Sequence, residues 1–375
     1  MTVPPASDSA ARGSSCTRAA APDAASPEEL DLLMQLVAIP SFSGEEQRAA
    51  AWLVSRLEAL GVESTVDEVG NVVAVIAPSA SESVDGDIYL LGHLDTVDGF
   101  WPPTLVEGRL SGRGSSDAKG PLAAFIAAAV RARVDGRLRR RVHILAAVEE
   151  ETSSRGAAHL ARTLLAPVFL VVGEPSGWDH LVLGYRGSAH VSIRVECAAG
   201  HSSRPDATAA ELAVGAWAAV EQLSDKLNGG AVGFNALNAH LLGIESGSDG
   251  LVDFATLHIG FRLPARIPGS VLMETLGQLD HVTMQMSRLG DAVLVPRTGP
   301  LPTAFATAIR QHRMLPVWQR RLGTSDLNVV LPKWRCPAVV YGPGSAELDH
   351  TPYESLEIND YGRAIHVLTS VLIGL

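Results

Sequence analysis

"VHILAAVEEETSSRG", residues 142–156, is the stretch on which the fold turns. Its apolar start reads as a strand buried on both faces, and Glu149, Glu150 and Glu151 follow it without a break. Carboxylates repel when crowded and are costly to bury. A strand that delivers three of them at one end must therefore end beside something positive.

Working outward, the same texture recurs. "NVVAVIA", "DIYLLG" and "VFLVVG" are strand-like, and "PLAAFIAAAVRARV" is a helix opening on Pro121. Near-continuous apolar strands separated by helices predict an α/β domain with a mostly parallel sheet. Upstream, "SPEELDLLMQLVAI" carries a Ser–Pro–Glu–Glu start, so a helix is expected near Ser26. A second helix fits "GEEQRAAAWLVSRLEALG", stopped by Gly61. From about Gly184 the strands alternate apolar and polar residues, as a sheet with one wet face should. "SAHVSIRVECA", a helix, "HLLGIES", "FATLHIGFRLP", the helix "GSVLMETLGQLDHV" and the strand "DAVLVPR" give the order βαββαβ, a ferredoxin-like α+β unit. The α/β pattern resumes after Thr298. The expectation is a catalytic domain over residues 27–183 and 298–375, interrupted by a lid over 184–297 and preceded by a disordered tail over 1–26.

Composition narrows the function. With 46% hydrophobic and 19% charged residues in 375, the chain can bury large cores. No run of eighteen apolar residues predicts a membrane span. The net charge of −11 argues against a general nucleic-acid binder. Three distant cysteines, Cys16, Cys197 and Cys336, form no disulfide framework, which fits a cytoplasmic protein. Two basic runs, Arg137–Arg141 and Arg310–Arg321, stand against the acidic background; solvated surface is their plain reading.

The chemistry collects at strand ends, where open α/β sheets bind ligands. "YLLG" runs into "HLDTVDG", bringing His93 and Asp95. "GRGSSDAKG" places Asp117 in a Gly-rich loop before a helix; it lacks a P-loop's Gly-Lys-Ser/Thr, so a phosphate cradle is a poor reading. Glu150, Glu151 and Glu174 follow two further strands, and His350 follows another. Each alone is an ordinary loop residue. Together they are imidazoles and carboxylates that need a cation among them, which suits zinc, with cobalt or manganese as substitutes.

Through "GHLDTV", "GRGSSDAKG", "EEETSSRG", "GEPSG", "GHSS" and "LDHTPYE", in that order over Ser26 to Leu375, the chain resembles the co-catalytic metallopeptidases of the acetylornithine deacetylase, succinyl-diaminopimelate desuccinylase and aminoacylase type. "GEPSGWDHLVLGYRG", "GTSDLNVV" and "YGPG" further resemble its LysK-like branch, which releases lysine or ornithine from the C-terminal glutamate of a small acidic amino-group carrier protein. The resemblance implies two divalent metal ions bridged by Asp117, with His93 and Glu174 completing one site, and Glu151 and His350 the other. Asp95 would accept the far N–H of the histidine ligand. Glu151 lies five residues before Gly156, the spacing of the family's ligand, which leaves Glu150 as general base and Glu149 as a structural neighbour. The Asp117–Ala118 peptide matches a position often cis. His201 matches a histidine that stabilises the oxyanion, often from a partner subunit of a lid-mediated homodimer. Arg262 matches an arginine for the substrate α-carboxylate, and Gly323, Thr324, Ser325 and Asp326 resemble a substrate loop. Asp249, Gly260 and Ser345 depart from the family's usual residues and bear on the substrate. A small-molecule N-acetyl amino acid deacetylase and a metal-free binding protein are the competing readings. For a carrier substrate the two basic runs are candidate rims.

Overall fold

The computed structural model describes residues 24–201 and 203–375. Most of the expected tail, residues 1–23, lies outside them. Ser26 begins the fold as anticipated: its Oγ accepts from the Glu29 N–H, and Glu29 Oε2 accepts from the Ser26 N–H at 2.6 Å. This reciprocal cap opens α1 (Pro27–Val37).

In chain order there follow α2 (Gln47–Ala59), β1 (Glu63–Val66), β2 (Val72–Ile76), β3 (Ile88–His93), β4 (Thr104–Val106), β5 (Arg109–Ser111) and α3 (Lys119–Val134). Next come β6 (Val142–Ala147), α4 (Arg155–Thr163), β7 (Phe169–Val172) and β8 (His180–Tyr185). The lid comprises β9 (Gly187–Ala198), α5 (Ala209–Asn228), β10 (Asn238–Ser248), β11 (Val252–Leu263), α6 (Gly269–Leu276) and β12 (Val282–Gly290). The chain closes with β13 (Val293–Leu294), α7 (Pro300–Gln311), β14 (Val317–Arg321), α8 (Asp326–Trp334), β15 (Ala338–Val340), β16 (Ser355–Glu357) and α9 (Ile358–Gly374).

The main sheet runs β1-β2-β6-β3-β7-β15-β8-β13, with β14 also pairing β8. Its centre, β6-β3-β7-β15, is parallel, and its flanks at β2 and β8 are antiparallel. Strand β3 is buried throughout, and α3 is buried on nearly every side, as its Ala-rich sequence allows. The lid sheet, β10-β11-β9-β12, encloses a core of its own that includes Val191, Ile193, Leu257 and Phe261. A third sheet, β16-β5-β4, ties the C-terminal segment to the loop that carries Asp117.

One expectation needs correction. The lid's last strand is β12, not "DAVLVPR"; that stretch instead supplies β13, which has returned to the main sheet beside β8. Its apolar run marks a strand without marking the sheet that receives it. Within the second basic run, "VWQRR" is β14, paired parallel with β8, while the run stays at the surface. Asp249 turns the β10–β11 hairpin by accepting from the N–H groups of Leu251 and Val252, a task open to the more usual Asn as well. Where the chain enters and leaves the lid, one buried side chain joins the two crossings: Asn328 Nδ2 donates to Arg186 O at 3.1 Å and Asp291 O at 2.9 Å. Among the described residues no helix is long and apolar enough to cross a membrane.

Candidate metal centre

The three glutamates are held by their backbone. Asp95 Oδ1 accepts from Glu150 N–H and Oδ2 from Glu151 N–H, both at 3.0 Å, while Ser43 Oγ donates to Oδ2 at 2.7 Å. Glu46 Oε1 likewise accepts from Glu149 N–H at 3.0 Å. Asn71 fastens the strand end from below, accepting from Val148 N–H and donating to Gly156 O. A Cβ on Gly156 would lie 2.3 Å from Asn71 Oδ1 and 2.5 Å from Val148 N, so only glycine fits there. Glu149 adopts a positive φ of 58° and turns away to Ser153 and Arg155.

Asp117 faces two imidazoles. Its Oδ1 is 3.3 Å from His93 Nε2, and its Oδ2 is 3.2 Å from His350 Nε2. His350 Nε2 is also 3.0 Å from Glu151 Oε2. One ligand atom from each of His93, Asp117 and Glu151 lies within 4.8 Å of the others. Behind them, Asp95 Oδ1 sits 3.4 Å from His93 Nδ1, which also lies 3.0 Å from the Asp95 carbonyl oxygen. The Asp117–Ala118 peptide is cis, as the resemblance implied. Its loop rests on Glu354, fully buried, whose Oε1 accepts from Ser116 N–H and Asp117 N–H at 3.0 Å and whose Oε2 accepts from Arg113 Nη1 at 2.8 Å.

The electrostatics show how negative this cluster is. Burial pushes Glu150 and Glu174 well above the usual carboxylate range, and the neighbouring acids push further in the same direction. Burial would strip the proton from His93, yet Asp117 and Asp95 hold its affinity well above the usual value. Contacts with Asp117 and Glu151 raise His350 to about 10. A mixed imidazole–carboxylate set with that much unbalanced charge fits divalent cations.

Asp117, Glu150, Glu151, Glu174 and His350 line a cleft of about 610 Å³. Arg262, Arg320, Arg321, Gly323 and Thr324 line the same cleft, as do Tyr185, Ser188, His190 and Asp349. Ser325 caps α8, accepting from Leu327 N–H at 3.2 Å. Asp326 is buried, and its charge bears on Glu150 and Glu174. His201 is not brought to the cleft; it is exposed beside Ser203, Arg204 and Cys197 in a small cavity of the lid. The run Arg137–Arg141 precedes β6, so it lies at the sheet edge opposite the glutamates. There Arg140 contacts Asp85 and Leu375, and Arg141 contacts Asp87. As a rim of the cleft that run is excluded.

An amide carbonyl is what cations in an open cleft can polarise, which is the chemistry of a metal-dependent amide hydrolase. The chain belongs to Peptidase family M20/M25/M40, which it matches over residues 89–373. It is 38% identical over 364 residues to the [LysW]-lysine hydrolase of Deinococcus radiodurans, spanning 94% of this chain and 98% of that one. Among solved structures it resembles an M20 family metallo-carboxypeptidase from Sulfolobus solfataricus, at a TM-score of 0.72 and 19% identity over 93% of this chain and 99% of that one. A dinuclear metal-binding M20 peptidase from Bacillus subtilis matches at a TM-score of 0.65 and 15% identity, over 92% and 97%.

Residues missed from sequence include Glu46, Tyr185, Ser188, His190, Asp349 and Glu354. A signal existed for Asp349 and Glu354, both in "LDHTPYE", and for Tyr185, in "GEPSGWDHLVLGYRG".

Proposed function

We propose that this chain hydrolyses the amide that joins an amino acid, lysine, ornithine or a relative, to the C-terminal glutamate of a small amino-group carrier protein. One observation carries the reading: the cleft lined by Asp117, Glu150, Glu151, Glu174 and His350 is lined also by three guanidiniums, Arg262, Arg320 and Arg321. A γ-glutamyl amide of an amino acid has carboxylates on both sides of the scissile bond, whereas an acetyl group brings none. Guanidinium forks suit carboxylates. The similarity to a LysW-lysine hydrolase supports the same substrate class.

His93, Glu174 and Asp117 would hold one divalent ion, and Asp117, Glu151 and His350 a second; zinc is the proposed metal, with cobalt or manganese as substitutes. When bound, such ions polarise the carbonyl and lower the proton affinity of water. Asp95 fixes the orientation of His93 and the backbone of Glu150 and Glu151. Glu150 takes a proton from the attacking water and returns it to the departing nitrogen. Arg262 pairs with the α-carboxylate, and the loop of Gly323, Thr324, Ser325 and Asp326 shapes the side-chain end. His201 would serve the cleft of a second subunit in a lid-mediated homodimer. A cytoplasmic location completes the reading.

The test offers metal-loaded enzyme a carrier–lysine conjugate and N-acetyl-lysine, and compares kcat/KM. Preference for the conjugate is expected, weakening as salt rises. Preference for the acetyl compound would replace this reading with a deacetylase.

A further inference from the structure

As water adds to an amide carbon, negative charge gathers on the carbonyl oxygen, and a donor held ready for it lowers the barrier. The donors lining the cleft are not equivalent. Arg262, Arg320, Arg321 and His190 are open to solvent in part or in full. Tyr185 differs: it is 6% exposed, lines the same cleft as Asp117, Glu150 and Glu174, and is near enough to Glu174 and Glu150 for both charges to bear on its hydroxyl.

Its surroundings hold it firmly. Tyr185 lies on β8 between Val293 of β13 and Arg321 of β14. The next residue, Arg186, has its N–H on Arg321 O at 3.3 Å, its carbonyl bound by Asn328, and its guanidinium on Leu322 O at 2.9 Å and Ala236 O at 3.2 Å. A phenol O–H held at that place is a donor for an oxygen brought into the cleft.

We propose that Tyr185 is a catalytic residue whose hydroxyl donates a hydrogen bond to the carbonyl oxygen of the scissile amide as the tetrahedral adduct forms. This rests on the hydrolase reading above. Water oxygen bonds to the carbonyl carbon while Glu150 takes its proton, and the carbonyl π pair moves onto oxygen, where the Tyr185 O–H meets it and keeps its proton. The pair then re-forms the carbonyl, the C–N bond breaks, and nitrogen takes the proton from Glu150. The products are a carboxylic acid and an amine.

Tyr185→Phe removes the oxygen and keeps the packed ring. In full-length, metal-loaded enzyme acting on the amide that wild type turns over fastest, kcat should fall about 10²–10³-fold. KM and metal content should hold within about twofold. A phosphinate with tetrahedral phosphorus in place of the amide carbon should lose affinity by a similar factor, while free lysine loses none. Tyr185→3-fluorotyrosine, which keeps the ring and makes the O–H a stronger donor, should shift kcat and its pH profile with KM unchanged, and so provides a second reading should Tyr185→Phe misfold. If kcat and phosphinate affinity stay within about threefold in both variants, Tyr185 is a packing residue and the inference falls alone. A wild type inert to every amide overturns the hydrolase reading and this inference together.

Discussion

At the residue scale, three adjacent glutamates have three fates, and geometry separates them. Glu149 leaves the cluster at a left-handed φ, Glu150 lines the cleft, and Glu151 meets His350. Glu150→Gln should therefore lower kcat by about 10²–10⁴-fold with metal content unchanged, whereas Glu149→Gln should cost far less; steady-state kinetics with elemental analysis checks both. Asp95→Asn removes a charge that orients His93 and anchors two backbone N–H groups, so metal should bind about 10–100-fold more weakly by competition titration. The proposed ligands are legible because each closes an apolar strand or its loop. Ser188 and His190 are not, because nothing local marks a residue that lines a cleft only when a distant segment folds beside it.

At the scale of elements, helix starts were easiest to see. Ser26 with Glu29 caps α1 by a reciprocal pair of bonds that its sequence announces; Thr208 with Glu211 caps α5 in the same way, a pair not singled out from the sequence. Strand β14 hid inside a basic run because its arginines are stacked or bonded: Arg320 lies over Phe234, and Arg321 Nη2 donates to Pro175 O. The misplacement of the last lid strand has a different cause, since the apolar run of "DAVLVPR" marks a strand without marking the sheet that receives it. The junction of β6 and α4 is where packing is least forgiving. Gly156→Ala drives a methyl into Asn71 and the Val148 backbone, so it should destabilise by about 1–3 kcal/mol in denaturant melts and disturb the Glu150–Glu151 backbone with it.

For the whole molecule, the centre joins segments that are far apart in sequence, from His93 to His350. A cation that binds only the assembled set should stabilise the fold by about 2.7 kcal/mol at roughly 100 times its Kd. Chelation should then lower the thermal midpoint as well as abolish turnover, and re-adding metal should restore both; calorimetry with an activity assay reads the pair. The two crossings into the lid carry a further consequence. Since Asn328 binds Arg186 and Asp291 at once, one side chain joins the entering and leaving strands in a single axle. The expected consequence is that the two crossings move together, where independent tethers would permit twisting. Asn328→Ala should release that twist, so hydrogen exchange at residues 186–187 and 290–293 should quicken together, while exchange in β3 and β6, on the far side of the axle, stays slow.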